Sequence, residues 1–210
     1  MTEIVRFQPT DQREPWAVRL NGEFESRTLG EIELGLAQKG IRFDFQEHFR
    51  GLASRFPDSS ALLVLEGGCG YGLALKGFKR LETKIGKPIT TTGITLAERH
   101  IPKNPDCGID RLIIGPIQTC WEKGLFVQGY HFILDLCGAA YYDRQTSVEI
   151  QGQSVIPIYS RLLLHGASAL IFLDSIEKPI NHVTQMRALL EICQLQIVFT
   201  AGKFVLVEKQ

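Results

Sequence analysis

The residues best suited to chemistry lie together in one glycine-rich segment, Glu66-Gly67-Gly68-Cys69-Gly70-Tyr71-Gly72. Glycine permits a positive φ in a sharp turn, and it lets the backbone approach a ligand because no Cβ stands in the way. A helix that begins after such a turn directs N–H groups and the positive end of its dipole at the ligand. We therefore expect an anionic group, either a carboxylate or a phosphate, at this turn.

Glu66 distinguishes between two kinds of ligand. Its carboxylate would repel a pyrophosphate, but it suits a ligand that also carries an ammonium group. The alternative is a strand–helix turn that uses glycine for geometry alone. Glycines at the alternate positions 68, 70 and 72, directly after an acid-terminated apolar run, disfavour that alternative.

The elements around the turn follow the order of an α/β protein. The continuous apolar run Ala61 to Leu65 predicts a strand buried on both faces, and a helix is expected from about Leu73 to Ile85. Further strands are predicted at Ile89 to Leu96, Arg111 to Ile114, His131 to Asp135 and Ala169 to Leu173, and further helices at Ser154 to His165 and Pro179 to Cys193. Strands that alternate with helices predict a doubly wound, parallel sheet with helices on both faces.

The C-terminal segment departs from this alternation. Gln196 to Thr200 and Lys203 to Glu208 flank Ala201-Gly202, which is a hairpin signature. We therefore expect one antiparallel strand in an otherwise parallel sheet.

The N-terminal segment is polar and weakly patterned up to about Gly40. Thr28 is placed to cap a short helix through Gln38, and Arg42 to Phe56 has the apolar spacing of an amphipathic helix. We predict one compact domain, in which residues 1–56 form a cap and lead-in helix and residues 57–210 form the core.

Composition narrows the class of protein. The chain has 210 residues, of which 44% are hydrophobic and 22% charged, as in an ordinary globular protein. The 23 basic and 23 acidic residues cancel, and no basic stripe of the kind that binds a phosphate backbone is present, which argues against nucleic acid as a partner.

Cysteine usage and the apolar runs bear on location. The five cysteines include no CxxC pair and are odd in number, which fits a reducing compartment. The apolar runs are too short to span a bilayer, and the first residues lack the apolar core of a signal peptide. We expect a cytoplasmic protein without a membrane segment, and its oligomeric state is left open.

The pattern Glu66-x-Gly68-x-Gly70-x-Gly72 resembles the first motif of the class I S-adenosylmethionine-dependent methyltransferases. The similarity extends through element order from about Phe56 to Glu208, and the family's seven-stranded sheet ends in an antiparallel strand from a terminal hairpin. The resemblance implies S-adenosylmethionine as cofactor, with its methionine moiety on the turn and its amino group near the leading acid. The residues implicated in this way are Glu66, Gly67, Gly68, Cys69, Gly70 and Gly72.

Two further segments resemble cofactor-binding positions but depart from the usual residues. Thr92-Gly93-Ile94-Thr95-Leu96 is similar to a subgroup that includes cyclopropane fatty acid synthases, and Thr95 and Leu96 stand where most of the family places an acid for the ribose. Pro116 and Ile117 follow the next strand, where an acid often contacts the adenine. The resemblance implies that these contacts are weaker here or come from the backbone.

The resemblance implies that the segment Asp135 to Tyr142, at the end of the fourth predicted strand, lies beside the transferable methyl group. Asp135 is predicted either to act as a base or contact the cofactor or substrate, or to cap the loop. Tyr141 and Tyr142 are candidates for an acceptor pocket. The Asn or Asp-Pro-Pro-aromatic signature of base methylases is not present in this segment, and no ligand spacing predicts a metal site.

Methyl transfer from a sulfonium is an in-line displacement, for which proximity, alignment and exclusion of water suffice. The sequence, through this resemblance, therefore predicts a methyltransferase that acts on a small-molecule or protein acceptor. No catalytic residue is assigned. One alternative is an inactive binding or scaffold module with the same fold. The other is a nicotinamide-dependent oxidoreductase, against which Glu66 and the terminal hairpin argue.

Overall fold

The computed structural model describes residues 2–6, 27–95, 108–127, 129–136, 138–142, 155–173 and 180–210. In chain order the elements are β1 (Glu3–Arg6), α1 (Leu29–Ala37), α2 (Phe45–Arg55), β2 (Leu62–Gly67), α3 (Leu73–Ile85), β3 (Ile89–Thr95), β4 (Arg111–Ile114), α4 (Ile117–Glu122), β5 (Tyr130–Asp135), α5 (Ala139–Tyr142), α6 (Val155–Leu162), β6 (Leu163–Phe172), α7 (Ile180–Ile192), β7 (Leu195–Ala201) and β8 (Phe204–Lys209).

The strands form one sheet in the order β1-β4-β3-β2-β5-β6-β8-β7. All neighbouring pairs are parallel except those of β8, which runs antiparallel to both β6 and β7. The predicted doubly wound, mostly parallel sheet with an antiparallel strand from the terminal hairpin is confirmed.

The sheet has eight strands where seven were expected, because β1 adds to the edge beside β4. The four residues of β1 are too few to show the alternating pattern of a strand. Contacts with residues that are distant in sequence keep them at the edge of the sheet. Thr2 Oγ1 donates to the carbonyl oxygen of Ile109 at 2.7 Å, and Glu3 pairs with Arg111 at 3.2 Å. The prediction placed this segment in a cap because such contacts leave no local pattern in the sequence.

Helices cover both faces of the sheet, as predicted. Side chains of α1, α2 and α3 form one apolar cluster with one face, and those of α4, α6 and α7 form a second cluster with the other. Because α1 and α2 share a cluster with α3, the segment before residue 57 packs directly against the predicted core. The division at residue 56 stays a prediction.

The N-terminal helices begin where the sequence indicates. The Thr28 side chain accepts from the N–H of Glu31, whose carboxylate accepts in return from the N–H of Thr28, so the two form a capping box. In α2 the predicted apolar positions Phe45, Phe49 and Leu52 are buried. The predicted cap of α1 and the predicted apolar face of α2 are confirmed.

The predicted helix from Ser154 to His165 is wrong at its end. Helix α6 stops at Leu162, and Leu163 begins β6 by pairing with Tyr130. Gly166, which directly follows the predicted helix, lies inside β6 with a φ of 78°, near a shift in register against β5. Pairing with β5 outweighs the helical period in this segment, because an unpaired stretch beside a buried strand would leave backbone groups unsatisfied.

Within the part of the chain that the structure describes, no helix is long and apolar enough to cross a membrane.

Candidate functional site

The carboxyl ends of four neighbouring parallel strands, β4, β3, β2 and β5, meet at one edge of the sheet. In open α/β sheets this edge is where ligands bind. The predicted residues Gly67, Thr95 and Asp135 are the last residues of β2, β3 and β5, and Pro116 with Ile117 begins α4 directly after β4. The structure brings these predicted site residues together, while Leu96 lies outside the described residues.

The glycine turn between β2 and α3 has the backbone that only glycine adopts readily. The φ angles of Gly68, Gly70 and Gly72 are 97°, 51° and 71°, and Gly72 is the N-cap of α3. The turn folds back on β3, because the N–H groups of Gly68 and Cys69 both donate to the carbonyl oxygen of Ile94 at 3.0 and 2.9 Å. Its shape is therefore set by the neighbouring strand as well as by its own residues.

The residues of the turn face in different directions. The Cys69 side chain is fully buried over Gly93, where an added Cβ would lie 2.6 Å from Sγ. Cys69 can thus offer a ligand backbone atoms but not its thiol. Gly68 is exposed, whereas Gly70 and Gly72 are buried.

Glu66 is buried at the end of β2 with only 5% of its surface exposed. It accepts a hydrogen bond from the N–H of Leu75, in the first turn of α3, but its Oε2 atom has no partner among the described residues. Burial, and next the charge of Asp135, raise the pKa of Glu66 well above its usual range, and the Leu75 bond opposes this only in part. A buried carboxyl oxygen without a donor is costly, and a cationic donor from a ligand would satisfy it.

Asp135 lies at the end of the neighbouring strand β5, and unlike Glu66 it has hydrogen-bond donors for both carboxylate oxygens. Glu66 pairs with Leu134, so the side chain of Asp135 points to the other face of the sheet. Its Oδ1 accepts from the N–H of Gly138 at 2.9 Å, and its Oδ2 accepts from the N–H of Ala140 at 2.8 Å and from the Tyr159 hydroxyl at 2.5 Å. These are the contacts of a carboxylate that caps a loop, the second of the two predicted roles.

Comparison with solved structures agrees with this architecture. A candidate class I S-adenosylmethionine-dependent methyltransferase from Listeria monocytogenes superimposes with a TM-score of 0.57 over 91% of this chain, at 11% sequence identity. The fold is that of the class I S-adenosylmethionine-dependent methyltransferases. A candidate hemolysin from Streptococcus thermophilus shares the fold with a TM-score of 0.50 and 8% identity, over 90% of this chain and 69% of that one.

Comparisons of the whole sequence, unlike those of the structure, found no relative. No protein-family model matches the chain, and no curated protein sequence matches it. The chain spans 64% of the length of the Listeria protein. In this methyltransferase fold the hairpin β7–β8 supplies the antiparallel strand that the sequence resemblance predicted.

Tyr159 is a residue at the carboxyl edge of the sheet that the sequence analysis missed. It lies in α6, where the sequence indicates only apolar packing, and it is fully buried. The signal that could have revealed it is chemical, because a buried tyrosine hydroxyl usually needs a hydrogen-bond partner. The sequence does not show that this partner is Asp135, because the contact depends on how α6 packs beside β5.

Gly138 is a second missed position. A Cβ added to Gly68 would lie 2.5 Å from the Gly138 Cα, and one added to Gly138 would overlap the carbonyl oxygen of Gly67. The start of α5 thus rests backbone against backbone on the glycine turn. Tyr141 and Tyr142 lie in α5, their side chains are outside the described part of the structure, and their place in an acceptor pocket stays a prediction.

Among the residues that the structure describes, no three potential metal ligands of the His, Cys, Asp or Glu type are grouped.

Proposed function

We propose that this protein is an S-adenosylmethionine-dependent methyltransferase that binds its cofactor at the carboxyl edge of β2 and β3. The observation that carries the proposal is the buried Oε2 atom of Glu66, which has no donor among the described residues. The fold, shared with a candidate methyltransferase from Listeria monocytogenes, supports the same cofactor class.

The chemistry of Glu66 fits an amino-acid ligand better than a dinucleotide. An ammonium group would bring both positive charge and hydrogen-bond donors to Oε2. A pyrophosphate would instead place negative charge near Glu66 and Asp135, both buried in this edge. Burial, and next the charge of Asp135, raise the pKa of Glu66, and a cationic group from a ligand would oppose both effects.

The remaining predicted positions surround this point, and we assign them as follows. The backbone of the glycine turn, with Gly68 exposed, would hold the methionine moiety. Thr95, buried at the end of β3, would lie toward the ribose, and Pro116 with Ile117 would line the adenine side through apolar contact. The residues Gly67, Cys69, Gly70 and Gly72 would shape the turn.

When bound, the cofactor would supply a methyl group on a sulfonium, which is an activated leaving group. The chain itself then needs to align the acceptor and exclude water. Asp135 engages at least three donors, so it is poorly placed to accept a further proton from an acceptor. A nucleophile that is already unprotonated at working pH fits such a site. We propose a small molecule or a protein side chain as the methyl acceptor. We also propose that the protein is cytoplasmic.

The same engagement of Asp135 favours one second candidate, a binding or scaffold module that holds the cofactor without transferring its methyl group. Incubation with methyl-labelled S-adenosylmethionine and fractions of metabolites or proteins separates the two. A labelled acceptor supports the enzyme, whereas tight binding without any transfer supports the module.

The binding step has a direct test. S-adenosylhomocysteine at about 100 times its dissociation constant should stabilise the fold by about 2.7 kcal/mol, and NAD should not. Thermal unfolding with each ligand measures this difference. An equal response to NAD, or no response to S-adenosylhomocysteine and S-adenosylmethionine at millimolar concentration, would contradict the proposal.

A further inference from the structure

Tyr159 connects the interior of the protein to the proposed ligand edge. It is fully buried in α6 within the apolar cluster on one face of the sheet. Its hydroxyl nevertheless reaches the edge, where it donates to Asp135 Oδ2 at 2.5 Å. The same hydroxyl lies against Gly67, since a Cβ added to Gly67 would overlap it. Tyr159 therefore touches the last residue of β2 and the last residue of β5.

Asp135 connects the Tyr159 hydroxyl to the backbone at the start of α5. Its carboxylate binds the N–H groups of Gly138 and Ala140, at 2.9 and 2.8 Å. Gly138 in turn rests on the exposed Gly68 of the glycine turn. Two glycines in contact have no side chains to interlock, so the hydrogen bonds that the N–H groups of Gly138 and Ala140 donate to Asp135 hold this approach in place.

We propose that Tyr159 is a positioning residue: through Asp135 it holds the start of α5 over Gly67 and Gly68, and so sets the room for the amino-acid end of the ligand. This inference rests on the proposed function, which places that end on the glycine turn. The adenosine end lies toward β3 and β4, away from these contacts. Tyr159 thus acts on one end of the ligand and not on the other.

Two tyrosine variants give a matched comparison. Tyr130 is also buried, with 1% of its surface exposed, and it belongs to the same apolar cluster. It begins β5, whereas Asp135 ends it, so it lies away from the ligand edge. Tyr159→Phe and Tyr130→Phe each remove one buried hydroxyl, but only the first removes a bond to Asp135.

The experiment measures the affinity of each protein for two probes by calorimetry. S-adenosylhomocysteine carries the amino-acid end, and 5′-methylthioadenosine lacks it. Tyr159→Phe should weaken S-adenosylhomocysteine binding about tenfold, the size expected for one lost hydrogen bond to a charged group, and change 5′-methylthioadenosine binding less than about twofold. Tyr130→Phe should leave both affinities near the wild-type values. Equal weakening of both probes by Tyr159→Phe, or no weakening of either, would overturn the positioning role.

A second measurement needs no ligand. The amide protons of Gly138 and Ala140 should exchange with solvent faster in Tyr159→Phe than in the wild type, and at unchanged rates in Tyr130→Phe. Unchanged exchange in Tyr159→Phe would refute the inference even if affinity fell. If the wild type bound neither probe, the proposed function would fail, and the exchange rates would still decide whether Tyr159 holds α5.

If Tyr159→Phe did not fold, Asp135→Asn would replace it. The amide keeps an oxygen for one of the two N–H groups but presents its NH₂ to the other donors. The same selective loss of S-adenosylhomocysteine affinity is expected, and its absence would count against the inference.

Discussion

Glu66 and Asp135 end neighbouring strands, and both are buried carboxyl groups at one edge of the sheet. They differ in what the chain provides for them. Asp135 has at least three donors, because the segment after β5 turns its N–H groups back on the carboxylate. Glu66 has the N–H of Leu75 but nothing for Oε2 among the described residues.

The cause of the difference lies in the two loops. After β2, the N–H groups of Gly68 and Cys69 are taken by the carbonyl oxygen of Ile94 and so are turned away from Glu66. A carboxylate that the protein satisfies stabilises structure, whereas one that it leaves unsatisfied is suited to a ligand. The comparison therefore separates a carboxyl group that the protein satisfies from one that we propose to bind a ligand.

The largest effect that would test this comparison is on stability. Asp135→Ala leaves two buried N–H groups and a tyrosine hydroxyl without their acceptor, so the free energy of unfolding should fall by about 3–5 kcal/mol. Glu66→Ala leaves only the N–H of Leu75 without its acceptor, so the free energy of unfolding should fall less, by about 1–2 kcal/mol. Urea denaturation of both variants measures the difference. Equal losses would show that the two carboxyl groups serve the fold alike.

The next effect is on ligand affinity. Glu66→Gln retains the shape and an acceptor for Leu75 but cannot become an anion, so binding of S-adenosylhomocysteine at pH 8 should weaken by about tenfold to a hundredfold. The loss should be smaller at pH 6, where the raised pKa keeps more of the wild-type Glu66 protonated.

Calorimetry at the two pH values provides the measurement. Glu31→Gln is the control, because it changes another glutamate whose capping bond glutamine can also make. Unaltered affinity in Glu66→Gln would mean that Glu66 is only the cap of α3.

The third effect concerns pH and stability, and per pH unit it is the smallest of the three. Because the pKa of Glu66 is higher in the folded state than in the unfolded chain, the folded state binds the extra proton. Its contribution is complete below about pH 4.5 and is lost as pH rises toward the folded pKa. Glu66→Gln has no such proton, so its stability relative to wild type should increase by about 1.4 kcal/mol per pH unit over that interval.

The difference between the two proteins is the quantity to measure, by urea denaturation at pH 5, 6.5 and 8, because buried histidines add their own dependence. Burial lowers the pKa of His48 to about 4, aided by Arg55, and that of His131 to about 4, aided by Lys87. Their stabilisation is lost as pH falls from 6.5 toward 4, which is opposite in sign to the Glu66 effect. Both proteins keep these histidines, so a flat difference would show that Glu66 is ionised in the free protein.

Local patterns determined most of the elements of this protein. The run that forms β2, the limits of α3, the caps of α1 and α2 and the terminal hairpin were all predictable, because each depends on neighbours within a few residues. The glycine spacing also predicted the turn itself, since a backbone with three positive φ angles needs glycine.

Tertiary structure alone decided which partner each segment meets. Strand β1 and the end of α6 depend on pairing with β4 and β5, which are distant in sequence. The roles of Glu66 and Asp135 were likewise set by the direction of loop N–H groups and by Tyr159 reaching in from α6. Hydrogen bonds act over about 3 Å between residues that no sequence period relates, so only the folded chain could show that Asp135 is satisfied while Oε2 of Glu66 has no donor among the described residues.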